Sequence, residues 1–368
     1  MSDSAGDPIV LDLAGRAVRI TSPDKVFFPK REETKLDLVR YYEAVEEPLM
    51  ATLGRRPLLL ERFPDGARGK SFFQKRVPKG VPEWLQTTMV QTVNGTPSNA
   101  LVGVDLAHIA WAVNMGCLGF HVWPLRVGDD GEVVVFDSAT RSRIEQPDID
   151  VEQWGGRQRR AVADELRLDL DPAKGVGFGE LQRAALLLKD LLDELGIACF
   201  PKTSGKRGIH VYVRLEPRWD SYEVRAGAVA LARELERRHP EQLTWSWWKE
   251  ERGERVFVDY NQNAPHKTVF GAWGARPKVG AQVSAPFRWE ELGDIVPDDL
   301  TISTVPPKVA AEGDPWAAMY DDPQSLEPLL ALHDRDMAAG LMDAPWPPVY
   351  PKMPGEPPRV APSRAKKE

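Results

Sequence analysis

The sequence has little cysteine, no long apolar run and no excess of basic charge. Its two cysteines, Cys117 and Cys199, cannot make a zinc site by themselves, and are expected to be reduced core residues of a cytosolic protein. No stretch is apolar and long enough to span a bilayer. Residues Met1 to Asp7 have neither a basic n-region nor an apolar h-region, so no secretory signal is expected there. The formal net charge of -7 argues mildly against a nucleic-acid partner, because such binders usually carry a basic surface. It does not exclude one, since a local basic groove can coexist with an acidic site. What remains is a chain of 368 residues, 42% hydrophobic and 28% charged. That is the composition of a soluble globular protein, with length for one large domain or two ordinary ones.

The most informative stretch runs from Glu165 to Pro172. Leu166, Leu168 and Leu170 alternate with Arg167, Asp169 and Asp171. This period of two predicts a half-buried β-strand that ends at Pro172 and carries Asp169 and Asp171 on one face. Adjacent carboxylates resist ionising together, and a divalent cation relieves that repulsion. A metal-binding Asp-x-Asp pair and a solvated strand face both fit this motif.

Further elements follow in order. Two strands of a hairpin are expected within residues 9–20, then a proline-punctuated loop to Lys30. A helix capped by Thr34 is expected to run to about Leu49. Lys25 and Lys35 flank this junction, either as a phosphate site at a helix N-terminus or as solvated side chains. Phe72 and Phe73 lie between Lys70 and Lys75, where they suit base stacking or a buried strand. Residues 99–124 are apolar core, ending in His121-Val-Trp123-Pro124, and a lone histidine there reads first as structural. Asp129-Asp130-Gly131 predicts a hairpin turn. Phe178 to Leu195 is a strongly amphipathic helix stopped by Gly196. A short strand, Ile197 to Phe200, leads into Pro201-Lys-Thr-Ser204-Gly-Lys-Arg207-Gly208. That turn is an anion cradle without the Walker A spacing. Ile209, Val211 and Val213 form another strand, and a second helix runs from about Asp220 to His239. Arg255 to Asn263 reads as a strand on which Phe257 and Asp259 share a face, which makes Asp259 a third strand-borne carboxylate. From Asp343 onward the chain is proline-rich and reads as a poorly ordered or surface-draped tail. Three carboxylates beside an anion-binding turn suit two-metal phosphoryl or nucleotidyl transfer, with oxygen ligands favouring Mg²⁺ or Mn²⁺.

Asp169-x-Asp171, Ser204-Gly-Lys-Arg-Gly-Ile-His210 and Val258-Asp259-Tyr-Asn-Gln262-Asn, in that order, resemble the three motifs of the archaeo-eukaryotic primase superfamily. More narrowly the chain resembles the polymerase domain of bacterial ligase D and stand-alone mycobacterial Prim-PolC-like proteins. Matching segments run from about residue 15 to 360. They include Gly69-Lys-Ser-Phe-Phe-Gln-Lys75, Phe120-His121-Val-Trp123-Pro124 and Trp248-Lys-Glu-Glu-Arg252. The resemblance implies an α+β fold: an RRM-like mixed or antiparallel sheet flanked by helices, with an N-terminal α/β subdomain. One catalytic domain is expected over 1–330, comprising an N-terminal subdomain of about 1–125, an insertion at about 128–160 and a core at about 161–300. A tail follows over 331–368.

The resemblance also implies roles. Asp169, Asp171 and Asp259 would hold two Mn²⁺ or Mg²⁺ ions. His121, Ser204, Arg207, Arg252, Gln262 and Arg276 would hold the incoming nucleotide. Phe72 and Phe73 would stack on the template, and Lys25 and Lys35 would grip a downstream 5′-phosphate. Three departures stand out: Ser22 replaces a common Asn, Arg207 replaces a common Lys, and the 128–160 segment is longer than usual. The expected activity is extension of a 3′-hydroxyl across short 5′-phosphorylated gaps in double-stranded DNA, using NTP or dNTP, with possible priming. The chain has no room for a ligase module, so a separate ATP-dependent DNA ligase is the expected partner. A cytoplasmic, nucleoid-associated location follows, without membrane contact. The alternatives are a non-catalytic bridge between DNA ends and, more remotely, a metal-dependent nuclease.

Overall fold

The computed structural model describes residues 6–91, 97–128, 135–137, 159–361 and 363. The N-terminal half opens with a hairpin of β1 (Ile9–Leu13) and β2 (Arg16–Ile20), then β3 (Val26–Phe28) and β4 (Glu33–Thr34). Helices α1 (Lys35–Ala44) and α2 (Glu46–Leu53) come next. Strands β5 (Pro57–Arg62), β6 (Phe72–Gln74), β7 (Thr87–Gln91) and β8 (Pro97–Val102) follow, then α3 (Leu106–Asn114) and β9 (Cys117–Val122). Thr34 does cap α1, and its hydroxyl and Asp37 form a reciprocal capping box. The single helix expected to Leu49 is instead two. Pro48 has no N–H and its ring would clash with the carbonyl four residues back, so the chain breaks at Val45.

The C-terminal half contains β10 (Val135–Asp137), β11 (Arg159–Pro172), α4 (Phe178–Glu194), β12 (Phe200–Thr203) and β13 (Ile209–Asp220). Then come α5 (Ser221–Arg238), β14 (Leu243–Thr244), β15 (Val256–Asp259), β16 (Val269–Phe270), α6 (Val305–Glu312), α7 (Ala317–Asp321) and α8 (Glu327–Ala338). Of the insertion expected at 128–160, residues 129–134 and 138–158 lie outside the described residues, while β10 pairs antiparallel with the start of β11. The short strand expected over Ile197 to Phe200 forms instead over Phe200–Thr203, where Lys202 and Thr203 pair with His210 and Ile209.

Among the described residues, two six-stranded sheets dominate. The central sheet has the order β12-β13-β11-β15-β14, with β10 also on β11, and only β14 and β15 run parallel. The N-terminal sheet has the order β16-β9-β5-β8-β7, with β6 also on β5, and is antiparallel throughout. This is the mixed α+β architecture expected from the sequence. Strand β16 departs from sequence order: the chain returns from the central half to close the edge of the N-terminal sheet, pairing Phe270 with His121.

On β11, Leu166, Leu168 and Leu170 face the helical layer, packed with Leu181, Leu188 and Leu192 of α4 and Leu231 of α5. Burying each such side chain contributes roughly 1.5–3 kcal/mol. The other face carries Glu165, Arg167, Asp169 and Asp171, and its burial fades along the strand. Glu165 and Arg167 are buried, Asp169 is half-buried and Asp171 is exposed. The buried end is locked by ions. Arg56 reaches Asp164 (2.7 and 3.0 Å) and Glu165 (2.5 Å). Arg126 and Arg214 also donate to Asp164. Arg167 holds Glu165 and the carbonyls of Val122 and Trp123. Burial alone would push the Asp164 carboxyl up, but the three guanidiniums hold it far below the usual carboxylate range.

The segment from Asp343 onward, expected as a poorly ordered or surface-draped tail, is anchored to the surface at several points. Residue 331 falls inside α8, Ala344 is buried in the core of the central half, and Trp346 and Tyr350 are buried in a small cluster with Ala264. Prolines fix an extended path there, and aromatic anchors supply burial that a solvated tail lacks.

Arg56→Ala should cost about 3–5 kcal/mol in urea unfolding, because Asp164 and Glu165 stay buried after losing the guanidinium that links them. A loss under about 1 kcal/mol would show that the network does not support the fold. Asp164 has a depressed folded pKa, so its contribution is complete above its unfolded value of about 3.9 and is lost as pH falls below that. Wild-type stability should therefore drop from about pH 4 downward more steeply than that of Arg56→Ala.

Candidate active site

Backbone pairing brings the site together. Asp169 is the direct partner of Asp259 on β15 and of His210 on β13. Lys202 on β12 is in turn the partner of His210. Partners in an antiparallel ladder point to one face, so Lys202, His210, Asp169 and Asp259 form a row across four strands. Asp171 lies two residues along the same strand face, nearer solvent. The Gln262 amide donates to Asp259 (2.8 Å) and Asp169 (3.4 Å), bridging the facing carboxylates. His210 Nε2 is 3.3 Å from Asp169. Burial, then the charges of Asp259 and Asp171, push the Asp169 carboxyl up to about 7. Burial also raises Asp259. It lowers His210 and Lys202 well below their ordinary values, with nearby cations adding to the effect.

The strand at 255–263 is shorter than expected. It stops at Asp259, whose carboxylate accepts the Asn261 N–H (2.9 Å) and caps a 3₁₀ turn over Tyr260–Asn263. That turn swings Gln262 back over the carboxylates.

The nucleotide-side residues form a second wall. Ser204 Oγ accepts the N–H groups of Lys206 (3.1 Å) and Gly208 (3.0 Å), and its carbonyl accepts from Arg276 (2.5 Å). Gly205 has φ +67°, and a Cβ there would lie 2.6 Å from Arg276 Cγ. Glycine is therefore required for the turn to approach this arginine. Arg276 stacks on Phe270 (3.6 Å), and burial lowers its pKa to about 10. His121 lies between Phe73 and Phe270 in edge contacts and is 3.2 Å from Glu61. Burial lowers its pKa. Arg252 stacks on Phe257 (3.5 Å) and donates to the Ser246 and Trp247 carbonyls. Arg207 is exposed and lines an open groove of about 270 Å³ with Lys206, Phe178 and Asp298, next to Pro172.

Phe72 and Phe73 are not core: they are 48% and 55% exposed on β6, with Arg62 5.0 Å from the Phe72 ring. The buried-strand reading of this pair is thereby corrected. The strand is a short edge whose two faces both look outward. Lys25 and Lys35 belong to a separate cluster. Lys25 pairs with Asp65 (3.1 Å), whereas Lys35 is buried, with its ammonium on the Thr21 carbonyl (2.5 Å) and Asn114. Burial, then Lys25, lower its pKa.

Sequence reasoning gave no role to Glu61, Lys202 or Phe270. Lys202 was detectable in principle, since a strand over 200–203 pairing with Ile209 and His210 puts it beside the motif histidine. Glu61 depends on the β5–β9 pairing and Phe270 on the β16 crossover, and neither leaves a local signal.

Among the described residues no three His, Cys, Asp or Glu side chains form a preassembled metal cage. The donor chemistry nevertheless fits hard divalent cations. Two carboxylates face each other and a third stands beside them, and burial together with their mutual repulsion raises the Asp169 carboxyl to about 7.

A carboxylate-bearing sheet, a cationic wall and an exposed aromatic edge suit an enzyme that transfers nucleotidyl groups. The model of the LigD primase-polymerase domain family matches residues 34–316. The multifunctional end-joining DNA repair protein LigD of Mycobacterium tuberculosis is 30% identical over 297 residues, covering 81% of this chain and 36% of that protein. Bifunctional LigD of Bacillus subtilis is 30% identical over 317 residues, covering 86% of this chain and 46% of that protein. The chain thus spans a third to about half of the curated relatives it matches. The polymerase domain of M. tuberculosis ligase D, solved in complex with DNA, superposes with a TM-score of 0.71 at 28% identity. That match covers 83% of this chain and 98% of the other. The chain belongs to the LigD primase-polymerase domain family and is a nucleotidyltransferase.

Asp169→Asn removes one of two facing charges. Without divalent ions it should melt no lower than wild type, and about 2 °C higher if the relief is near 1 kcal/mol. Wild type should gain stability on adding MnCl₂, and the variant should gain little. An equal gain in both would disprove metal binding at Asp169.

Proposed function

We propose that this chain fills short gaps in broken double-stranded DNA during end joining, adding NTP or dNTP to a 3′-hydroxyl. The observation that carries this reading is the in-register Asp169–Asp259 pair bridged by Gln262, beside the Ser204–Arg276 wall. The family relationship and the DNA-bound structural relative support it.

Asp169, Asp171 and Asp259 would hold two Mn²⁺ or Mg²⁺ ions. These supply charge neutralisation at the reacting phosphate and a lower pKa for the attacking hydroxyl. The chain's own residues do the positioning. Arg276 and Arg252 are pinned by carbonyls and aromatic faces, so their guanidiniums meet a triphosphate with little ordering cost. Ser204 holds the 204–208 turn compact, and Arg207 adds charge at its exposed rim. His121, kept neutral by burial, offers a ring nitrogen to the nucleotide without adding repulsion toward Arg276. Gln262 keeps the two carboxylates apart and oriented. Phe72 and Phe73, about half exposed, offer ring surface to the template.

Lys25 would exchange Asp65 for the 5′-phosphate across the gap. Lys35, committed to Thr21 and Asn114, would contribute a fixed positive charge beside it. Ribonucleotide use, priming, a separate ATP-dependent ligase and a cytoplasmic, nucleoid-associated setting belong to the same reading. No described helix is long and apolar enough to cross a membrane.

The test is a 5′-phosphorylated duplex with a one- to three-nucleotide gap, incubated with Mn²⁺ and either rNTP or dNTP. Wild type should extend the primer, and Asp171→Ala with Asp259→Ala should bind the DNA without extending it. Binding without extension by wild type would favour a bridging protein, and primer degradation would favour a nuclease.

Lys25→Ala should reduce the preference for a 5′-phosphate over a 5′-hydroxyl gap, and adding Lys35→Ala should abolish it, read by competitive extension. An unchanged preference in the double variant would place the phosphate elsewhere.

A further inference from the structure

The C-terminal segment beyond α8 is tied to the turn that follows Asp259. Arg225 of α5 is buried and makes the connection. Its Nε donates to Asn261 Oδ1 (2.8 Å). One terminal nitrogen meets the Asp343 carboxylate (3.0 and 3.3 Å), and the other donates to the carbonyls of Ala344 (2.9 Å) and Pro345 (3.3 Å). The guanidinium lies 3.8 Å from the Trp346 ring centre and 5.5 Å from that of Tyr260. Asn261, also buried, donates its side-chain amide to the Pro345 carbonyl (3.1 Å) and its backbone N–H to Asp259 Oδ1.

The segment is itself closed into a clasp. Glu356 accepts the N–H groups of Trp346 (2.9 Å) and Met353 (3.0 Å). Arg359 donates to Glu356 and to the carbonyls of Tyr350 and Pro351. Tyr350 donates its hydroxyl to the Pro265 carbonyl (2.6 Å), just past the same turn. The family match ends at residue 316, so this clasp lies outside it.

We propose that Asp343–Arg359 is a strap that positions Asp259, acting through Arg225 and Asn261. The proposal rests on the reading of Asp259 as a metal-binding carboxylate. Only one of the two Asp259 oxygens is free to follow Gln262, because the other is held by the Asn261 N–H. The direction of that N–H is fixed by a side chain clamped between Arg225 and the strap. Strand β15 brings Asp259 opposite Asp169, and the strap then sets the carboxylate's rotation. Arg225, Asn261 and Asp343 are positioning residues and touch no substrate.

The experiment compares the full-length wild type, Asp259→Ala and the double variant Asp343→Ala with Trp346→Leu. Mn²⁺ binding is read from the free-ion EPR signal, alongside the kcat and KM of single-nucleotide extension. The double variant should bind Mn²⁺ about fivefold more weakly and lose about tenfold in kcat, with KM for nucleotide and affinity for DNA within twofold of wild type. Unchanged Mn²⁺ affinity and kcat in the folded double variant would overturn the strap. A parallel loss in KM and DNA affinity would overturn it too, by reducing the segment to general support. If wild type binds no Mn²⁺, or Asp259→Ala binds it equally, the metal reading of Asp259 fails first. Should the double variant not fold, Asp343→Asn replaces it, with about a threefold loss of Mn²⁺ affinity expected and no loss overturning the proposal.

Discussion

Everything in the site hangs on a fully buried arginine. Arg56 sits just before β5 and spans to Asp164 and Glu165 on β11, while Arg126, Arg214 and Arg167 add further guanidiniums to the same two carboxylates. Replacing such a network by apolar packing is often neutral for stability, whereas removing one partner is costly. Charges that must meet their partners allow one register between the halves, whereas apolar side chains would tolerate several. The network fixes where β11 lies relative to β5 and β9, and hence where Asp169 lies relative to His121.

From that anchor the site follows along a single strand. The face of β11 that begins as a dry ionic lock ends as the floor of a cleft, because the N-terminal half covers Glu165 and Arg167 but not Asp171. Structural charge and functional charge share one strand face and differ only in burial. The neighbouring strands then deliver Asp259 and His210 in register, so the constellation is made by sheet pairing rather than by loops. Sites on paired strands hold their geometry better than sites on loops.

Much of this was legible from the sequence where the signal was local. The alternation in Leu166–Asp171 gave the strand and its two faces, the α4 periodicity gave the helix that covers the apolar one, and Thr34 gave a cap. Non-local information was invisible. Nothing near Val269 announces that it leaves the central half to pair with Val122, so the placing of Phe270 over His121 had to come from the fold. Side-chain competition was hidden as well. Lys35 reads as a free lysine in the sequence, yet its ammonium is occupied by Thr21 and Asn114. The proline-rich C-terminus misleads by composition alone, since a few aromatic and charged anchors in it suffice to dock it.

The return of the chain through β16 also constrains how the molecule can be made and taken apart. Strand β9 keeps an open edge until Val269 and Phe270 have been synthesised. The N-terminal half therefore cannot complete its sheet as the ribosome releases it, and must wait for the half that bears the carboxylates. The two halves are woven rather than hinged. Swinging one half away from the other would break the Val269–Val122 and Phe270–His121 pairings.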